Sequence, residues 1–279
     1  MKIKGVDKKM DYKFSVLMSV YKNDNSEYFS IALDSIVNQT LVPNEIVIVI
    51  DGEIPETTEN VIEEKKKIYS NFNVVRLSKN QGQSIALNEG LKNCTYNLVA
   101  RMDADDISES ERFEKQINVF KEDNEVVVTS GYTLDISSNG DDYGIRKVPL
   151  SFEEVKKYFK RRSPINHGAC MYKRDFVLKV GGYKNYKQTQ DYILWGDILK
   201  NGGLIKNIPE VLLKVRVDDN YSRKRTMLYI KEELKTQKYF YSIGMLNRKD
   251  LVINFFCRVL IRLVPSKILF IIYKKFLRG

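Results

Sequence analysis

The sequence predicts an α/β fold, in which a mostly parallel sheet carries helices on both faces. From residue 14 onward, short apolar runs rich in β-branched residues alternate with longer segments whose apolar residues recur at helical spacing. Parallel strands need crossover connections, which helices usually provide, so this alternation favours a parallel sheet over a series of hairpins. Acidic residues also follow two of the apolar runs directly, at the edge where such sheets bind ligands.

The first three elements are the clearest. Residues 14–21 (FSVLMSVY) form an apolar run typical of a buried strand, and residues 45–50 (EIVIVI) form a second one. Between them, residues 27–39 carry apolar side chains at the spacing of one helix face. The same rhythm then predicts a helix over 57–69, a strand over 73–77, a helix over 84–91 and a strand over 97–102.

Composition places the chain among folded proteins. Hydrophobic residues make up 43% and charged residues 29% of the 279 positions, which excludes an intrinsically disordered chain. Cys94, Cys170 and Cys257 are odd in number and far apart, so we expect small buried side chains rather than disulfides or a zinc site. Residues 1–14 are lysine-rich and lack the apolar stretch of a secretory signal, so we expect a cytoplasmic protein.

The positive charge lies at one end of the chain. Residues 221–279 contain 14 Lys or Arg against 3 Asp or Glu, whereas the first 220 residues contain 32 against 33. The net charge of +10 therefore comes from the carboxyl-terminal segment. A basic segment on a neutral body indicates an anionic partner, either a phospholipid surface or a nucleic acid.

The segment ARMDADDIS, residues 100–108, concentrates carboxylates directly after an apolar run. Asp103, Asp105 and Asp106 would repel one another unless a cation neutralised them, and hard divalent cations prefer oxygen ligands. A diphosphate held through Mg²⁺ or Mn²⁺ suits such a cluster. The alternative is that Asp106 or Ser108 caps a helix that begins near Glu109.

Eight segments stand in an order that is more specific than any one of them: SVLMSVYKN, LDSIVNQT, EIVIVIDG, NQGQSIALNEGLK, ARMDADDISESERFEKQ, NHGACMYKRDFVLKVGGY, QDYILWGDILKNG and NIPEVLLKVRV. Together they resemble the inverting, nucleotide-sugar-dependent family 2 glycosyltransferases, whose GT-A fold is Rossmann-like. The resemblance covers about 14–216 and is closest to the bacterial exopolysaccharide, capsule and O-antigen type. It implies a glycosyltransferase domain over 1–220, with a nucleotide-binding half at 14–106 and an acceptor half at 107–220.

The resemblance also implies a donor site for a UDP-sugar. Asp51 resembles the carboxylate that reads uracil, and Asp105 resembles the direct ligand of the Mn²⁺ or Mg²⁺ that holds the diphosphate. As local features, Asp51-Gly52 and the loop 80–82 are equally compatible with ordinary turns. Arg112 can approach the diphosphate or pair with glutamates on its own helix. The other residues that we expect at the donor are Tyr21, Asn80, Gly82, Arg101, Asp103 and Ala104.

On the acceptor side, the resemblance makes Asp191 the general base that takes a proton from the attacking hydroxyl. Gln190 stands where the family usually has a glutamate, and we expect it near the sugars. His167, the only histidine, resembles a residue near the sugar or the metal, with a purely structural role as the alternative. Trp195 can offer its flat face to a sugar ring or pack in the core. The processive Gln-x-x-Arg-Trp element is missing, which favours transfer of a single sugar.

The segment 221–279 predicts basic amphipathic helices. Over 251–264 an apolar stripe containing Val252 and Phe256 lies opposite Asn254 and Arg258, and a similar division follows Pro265. The apolar runs are too short to span a bilayer but suit its surface, so we expect peripheral attachment at the inner face of the cell membrane. Packing against the catalytic domain is the alternative. A glycan or polyprenyl-linked saccharide acceptor fits a membrane location, and nucleic acid is the less expected partner.

Two other functions share parts of this pattern. A sugar-nucleotide nucleotidyltransferase also uses acidic metal sites on an α/β sheet, but the chain lacks an amino-terminal Gly-rich phosphate loop with basic residues. A non-catalytic membrane or nucleic-acid-binding protein would depend on the basic carboxyl-terminal segment alone.

Overall fold

A computed structural model describes residues 12–217 and 227–263. In these residues one sheet contains β1 (Phe14–Val20), β2 (Glu45–Asp51), β3 (Phe72–Leu77), β4 (Leu98–Met102), β5 (Ile107–Ser108), β6 (Val126–Ile136), β7 (Asp142–Arg146), β8 (Met171–Lys173) and β9 (Leu204–Arg216). The helices are α1 (Ser26–Val37), α2 (Glu56–Ile68), α3 (Gln83–Asn93), α4 (Arg112–Glu122), α5 (Phe152–Phe159), α6 (Arg174–Lys179), α7 (Gln190–Lys200), α8 (Met227–Ser242) and α9 (Arg248–Leu263). A short 3₁₀ turn, His167–Ala169, precedes β8.

The strand order is β3-β2-β1-β4-β8-β6-β9-β5, with β7 paired to β6. β1 pairs in parallel with β2 and β4, and β2 pairs in parallel with β3. The second half is mixed, since β8 runs antiparallel to both β4 and β6 whereas β6 and β9 are parallel. The predicted α/β fold is confirmed, and its parallel part is the amino-terminal half. The carboxyl ends of β1, β2 and β4 consequently meet at one edge.

Two hydrophobic clusters cover the two faces of the sheet. In β1, Val16 and Met18 point into the cluster that contains α1 and α4, whereas Leu17 points into the cluster that contains α3 and α7. This alternation follows from the two-residue period of a strand. Both clusters are built from residues that are removed from water, which makes the sheet a rigid platform for its loops.

Local sequence fixes where the helices begin. The Asn25 side chain accepts hydrogen bonds from the backbone amides of Glu27 and Tyr28, which caps α1 directly after β1 ends. Cys94 and Cys170 are buried, as predicted, but Cys257 is exposed on α9. The expectation of a buried side chain is therefore wrong at Cys257, because it lies on the outward side of a surface helix.

Helix α8 completes the core of the fold. Phe240 is fully buried, and its ring centroid lies 4.8 Å from those of Phe159 and Tyr192. The hydroxyls of Thr189 and Thr236 lie 2.6 Å apart and join the start of α7 to α8. Helix α8 is therefore packed on the domain.

Helix α9 packs with its polar side inward. The Asn254 side chain is buried, donates to the Lys160 carbonyl at 2.8 Å and contacts Gln237 at 2.6 Å. The apolar side faces outward, with Val252, Phe255 and Phe256 exposed at 55%, 46% and 57%. Val252 and Phe256 of the expected stripe are exposed and Asn254 of its opposite face is buried, so the polar face is the one that contacts the domain. The Arg258 side chain lies outside the described residues. Among the described residues, no helix carries an apolar stretch long enough to cross a membrane.

We predict that Phe240→Ala lowers the free energy of unfolding by about 3–5 kcal/mol, because it empties a packed aromatic site between α5, α7 and α8. Tyr241 is the matched control, since it is the next residue on the same helix and is 40% exposed. Tyr241→Ala should change that free energy by no more than about 0.5 kcal/mol. Urea denaturation of the full chain measures both values. Equal effects of the two substitutions would show that α8 is not part of the folding unit.

Candidate active site

A pocket of about 600 Å³ opens at the carboxyl edge of the parallel strands. Its walls come from the end of β2, the loops that follow β1, β3 and β4, the segment before α7 and the end of β9. Predicted donor residues meet here as the topology requires, because parallel strands place their carboxyl ends side by side. The predicted residues that line the pocket are Tyr21, Asp51, Asn80, Gly82, Asp103, Ala104 and Asp105.

The pocket wall concentrates negative charge. Burial raises the pKa of Asp24 to about 6, against a lowering by the Tyr21 amide and with further raising by Asp105 and Asp103. Burial also raises the pKa of Asp106 well above its usual range, and Asp103 and Asp105 add to this. These carboxylates therefore disfavour one another's charge, as groups do where a cation is to bind.

Asp103 is fixed by a buried cation. Both of its carboxylate oxygens accept hydrogen bonds from the Arg101 guanidinium, whose side chain is 2% exposed. Gln83 donates to Asp103 Oδ1 at 3.3 Å, and Gln190 donates to Gln83 Oε1 at 2.8 Å. Arg101 thus acts on the 600 Å³ pocket through Asp103. Its own side chain lines a second cleft, described below, and not this pocket.

Asp106 does not cap a helix. It is buried, and its Oδ1 accepts a hydrogen bond from the backbone amide of Arg216 at 3.2 Å. Helix α4 begins only at Arg112, after Glu111, so the capping alternative for Asp106 and Ser108 is wrong. Asp106 instead joins the acidic loop to the end of β9.

Arg112 also lies away from the pocket. Its side chain is fully buried and donates to the carbonyls of Arg101 at 2.6 Å and Cys170 at 3.3 Å, and to Gln116 Oε1 at 3.1 Å. Neither of its two expected roles, at the diphosphate or in pairs with glutamates, fits this position. It holds β4 and the segment before β8 together from below the acidic loop.

Gly168 allows the acidic loop to approach the turn before β8. A Cβ atom at this position would lie 2.9 Å from Asp106 Oδ2 and 3.3 Å from Asp103 Oδ2. Both carboxylates therefore converge on the space that a side chain would fill, and a larger residue would displace them. The sequence reasoning missed Gly168, because nothing in its local pattern identifies the partner of the turn.

Asp51 organises the loop 80–82. Its two carboxylate oxygens accept hydrogen bonds from the backbone amides of Gln81 at 2.7 Å and Gly82 at 2.8 Å. Gly52 has φ +85°, and a Cβ there would lie only 2.5 Å from the Asn80 nitrogen. Asp51 therefore lies at the pocket wall with its orientation set by this loop.

A second cleft of about 360 Å³ adjoins the first. Gln83, Asp103, Asp106, Gln188, Val215 and Arg216 line both. Asp191 and Gln190 lie in this second cleft, at the start of α7. Burial raises the pKa of Asp191, although the Tyr192 amide, Arg146 and Arg101 act in the opposite direction. A carboxylate with a raised pKa beside the acidic pocket is suited to proton abstraction.

His167 lines the same cleft from its far wall. Its Nε2 lies 2.9 Å from the Tyr183 hydroxyl, and burial together with Arg101 lowers its pKa well below the usual range. The ring is therefore neutral at physiological pH, which is the form that a metal ligand requires. Its expected contact with a metal stays a prediction.

Trp195 does not reach either cavity. Its side chain is 0% exposed and lies in the core cluster of α7, where its ring meets His167 edge-on with centroids 5.9 Å apart. The proposed contact with a sugar ring therefore does not fit its position, and core packing, the alternative, does. Trp195 lies one turn beyond Asp191 on α7, past the start of the helix that lines the cleft.

Several cavity-lining residues were not predicted from the sequence. These are Asp24, Gln83, Arg146, Gln188 and Arg216. Asp24 could have been found, because it follows β1 just as Asp51 follows β2 and Asp103 follows β4. Arg146, Gln188 and Arg216 lie on segments whose approach to the acidic loop depends on the mixed half of the sheet, which no local pattern reveals.

The carboxylates of the pocket suit a hard divalent cation for which the protein supplies only some of the ligands. Within the described residues, no three His, Cys, Asp or Glu side chains converge closely enough to enclose a metal. Mg²⁺ is commonly held by one or two carboxylates together with substrate phosphates. Asp105, an exposed carboxylate at the pocket wall, offers such a ligand, and the space beside Gly168 keeps Asp103 and Asp106 near it.

Solved structures of glycosyltransferases share this fold. S. aureus TarS 1-349 in complex with UDP-GlcNAc matches with a TM-score of 0.64 at 18% identity, over 88% of this chain and 72% of that chain. The mannosyltransferase PcManGT from Pyrobaculum calidifontis, in complex with GDP-Man and Mn²⁺, matches with a TM-score of 0.64 at 15% identity, over 88% and 68%. Both show that the α/β fold is of the GT-A type.

Curated relatives are similar over nearly the whole chain. The Escherichia coli UDP-Gal:alpha-D-GlcNAc-diphosphoundecaprenol beta-1,3-galactosyltransferase is 36% identical over 95% of this chain and 97% of its own length. The Erwinia amylovora amylovoran biosynthesis glycosyltransferase AmsE is 34% identical over 95% and 100%. The family model described as Glycosyl transferase family 2 matches residues 15–181, more than half of the chain. The chain belongs to glycosyl transferase family 2.

Proposed function

We propose that the protein transfers a single sugar from a UDP-sugar to a hydroxyl of a glycan or lipid-linked acceptor, with inversion at the anomeric carbon. The observation that carries this proposal is the shared wall between the acidic pocket and the cleft of Asp191. A sugar diphosphate in the pocket and an attacking hydroxyl in the cleft would therefore lie next to each other. We place the reaction in the synthesis of bacterial surface polysaccharide.

The relatives support the substrate classes. The E. coli relative is named for transfer of galactose from UDP-Gal to a GlcNAc-diphosphoundecaprenol acceptor. TarS has been solved with UDP and with UDP-GlcNAc. Membership in the glycosyltransferase family makes the two other functions that share the sequence pattern, a nucleotidyltransferase and a non-catalytic binding protein, the weaker interpretations.

The donor nucleotide would lie in the 600 Å³ pocket. Asp51 would accept a hydrogen bond from the uracil N3–H, since a carboxylate oxygen bonded to one amide still has acceptor capacity. Tyr21 stands half exposed at the pocket wall and offers a ring face for stacking. Asn80 and Gly82 complete the wall, in a loop that Asp51 itself holds in place.

Asp105 would hold Mn²⁺ or Mg²⁺ together with the diphosphate oxygens. When bound, the metal supplies charge stabilisation for the departing diphosphate. Arg101 keeps Asp103 oriented toward the same space, and Asp106 holds the loop to β9. The protein's part is to fix these carboxylates so that little reorganisation accompanies the reaction.

Asp191 would act as the general base. It lies in the second cleft, whereas Asp105 lines only the first, so the hydroxyl it activates would attack from the side away from the diphosphate. A single displacement of this kind inverts the configuration at the anomeric carbon. Gln190 would position the sugars beside Asp191, and its own amide is oriented by Gln83.

The outward face of α9 suits attachment to a membrane surface. Phe255 and Phe256 expose apolar rings on a helix that follows a strongly basic segment. We propose that the catalytic domain, residues 1–220, acts at the inner face of the cell membrane, with the segment 221–279 as its attachment. The part of that segment beyond residue 263 lies outside the described residues.

The base and the metal ligand can be tested together. Asp191→Asn should lower the transfer rate by about 10²- to 10⁴-fold, since an amide cannot accept the hydroxyl proton. It should leave the affinity for UDP in Mn²⁺ nearly unchanged. Asp105→Asn should instead weaken UDP binding and raise the Mn²⁺ concentration that transfer requires. Labelled UDP-sugar transfer and calorimetry with UDP measure the two effects.

Asp175→Asn is the control, because Asp175 is an exposed carboxylate in the first turn of another helix, α6. It should change neither transfer nor UDP affinity. Normal transfer by the Asp191 variant would remove its assignment as base. UDP binding that is insensitive to a chelator would contradict the metal site.

Gly52→Ala tests whether the 80–82 loop belongs to the nucleotide pocket. The new Cβ would collide with the Asn80 nitrogen and displace the amides that orient Asp51, so UDP affinity should fall roughly 10- to 100-fold. Gly140→Ala is the control, since Gly140 has a similar φ of +91° but nothing within 4 Å. It should lose only stability, by about 1–2 kcal/mol. Equal UDP affinities in the two variants would place the nucleotide elsewhere.

Removal of the two exposed rings of α9 tests the attachment. Phe255→Ser with Phe256→Ser should lower binding to vesicles of phosphatidylglycerol and phosphatidylcholine by about tenfold or more, given the apolar surface lost. Ile31→Ser with Ile68→Ser is the control, because both side chains are exposed elsewhere on the molecule. Co-sedimentation at fixed ionic strength measures both. If the Phe255/Phe256 variant bound vesicles as well as the wild type does, α9 would not be the membrane attachment.

A further inference from the structure

A groove of about 750 Å³ lies beside the acceptor cleft and is not used by the proposed mechanism. Its floor is formed by Tyr132, Val148, Pro149, Leu150 and Tyr158, which are aromatic or aliphatic. Its rim carries Lys147, Lys157, Arg161 and Arg162. The groove therefore combines an apolar surface with a cationic edge, a pairing that fits a ligand with an anionic head and an apolar chain.

In the described part of the chain, three of the four rim cations are not paired with neighbouring carboxylates, whereas Arg161 pairs with Asp250. Within 12–217 and 227–263, Lys147, Lys157 and Arg162 take part in no ion pair. Glu154 is the only carboxylate of the lining, and its Oε2 accepts hydrogen bonds from the amides of Leu150 at 3.2 Å and Ser151 at 3.0 Å. Its charge is thus directed at the start of α5. The groove presents an excess of positive charge toward a ligand.

The groove adjoins the reaction site through one pair of strands. Thr133 of β6 pairs with Arg146 of β7, and both line the cleft of Asp191. The next residues along the chain, Tyr132 and Lys147, line the groove. Consecutive residues of these two chain segments therefore line the two cavities, which places the cavities on adjoining parts of the β6–β7 pair.

The groove also adjoins α9. Arg161 of its rim donates to Asp250 Oδ1 at 2.9 Å and to Asn254 Oδ1 at 3.1 Å. These two residues lie on the inner face of α9, opposite Phe255 and Phe256. The groove therefore lies between the cleft that holds the proposed base and the helix with the exposed apolar face.

We propose that this groove binds the diphosphate and the first prenyl units of a lipid-linked saccharide acceptor. The inference rests on the proposed function and specifies its acceptor. The sugar of the acceptor lies at Asp191, its diphosphate lies between Lys147, Lys157 and Arg162, and its chain follows the apolar floor toward α9. Guanidinium and ammonium groups are the donors that bind phosphate oxygens in proteins.

Farnesyl diphosphate is a suitable probe, because it carries the diphosphate and the chain without any sugar. Calorimetry of the full chain in saturating UDP and Mn²⁺ keeps the probe out of the donor pocket. Farnesyl diphosphate should bind more tightly than dimethylallyl diphosphate, farnesol or inorganic pyrophosphate. The variant K147Q/K157Q/R162Q should weaken that binding by about tenfold or more. Its affinity for UDP should stay that of the wild type.

The variant K67Q/K92Q/K121Q is the control, since it removes the same charge at exposed positions elsewhere. Its affinity for farnesyl diphosphate should change by no more than about twofold. Equal binding by the groove variant and the wild type would overturn the inference. So would a groove variant that loses binding to phosphatidylglycerol vesicles yet keeps farnesyl diphosphate, because the groove would then be a phospholipid site.

Failure of the proposed function gives a different result. If the wild type does not bind UDP, the donor assignment fails, and the groove comparison is then made without UDP. Loss of farnesyl diphosphate binding in the groove variant would still support a prenyl diphosphate site under that condition. If UDP binds and sugar is transferred but the groove variant matches the wild type, only the inference on the acceptor fails.

Discussion

The buried guanidinium of Arg101 is the interaction on which the site depends. A cation removed from water is costly unless a well-placed anion and further hydrogen bonds compensate it. Asp103 supplies that anion and accepts hydrogen bonds through both carboxylate oxygens. The need of buried Arg101 for a partner therefore fixes the orientation of Asp103. The same charge lowers the pKa of His167 and opposes the raised pKa values of Asp106 and Asp191. Burial is the larger cause of each of these pKa shifts, and the charge of Arg101 acts on groups that line both cavities.

The contacts that begin at Arg101 also join the two halves of the domain. Asp103 belongs to the loop after β4, and Gln83 of α3 connects it to Gln190 at the start of α7. Thr189, directly before Gln190, contacts Thr236 of α8. Helix α8 therefore supports the residues that precede Asp191, although it follows the catalytic fold in sequence. Helix α8, the first described part of the proposed attachment, therefore also packs on the rest of the fold.

The sequence predicted the parallel half of the fold and the acidic edge, because both depend on local patterns. Strand periodicity and the position of Asp51 and Asp103 after β2 and β4 are enough to place those carboxylates together. The pattern could not place Gly168 or Arg216, since their contacts with Asp106 depend on long-range pairing in the mixed half. It also left Trp195 open between a sugar contact and core packing, because α7 is buried on most of its surface and its composition does not show which side lines a cavity. The roles expected for Asp51, Asp105 and Asp191 rest on the family resemblance as well as on position.

The orientation of α9 shows why amphipathic periodicity alone does not decide between packing and membrane binding. A helix with one apolar face ordinarily turns that face to the core. Here Asp250 and Asn254 contact Arg161 and the Lys160 carbonyl, so the polar face satisfies buried groups of the domain and the apolar face remains outside. The rings of Phe255 and Phe256 consequently lie on the far side of the helix from the catalytic cleft. A surface that binds α9 by those rings would bring the groove beside Arg161 close to the bilayer, where a prenyl chain and its saccharide are presented together.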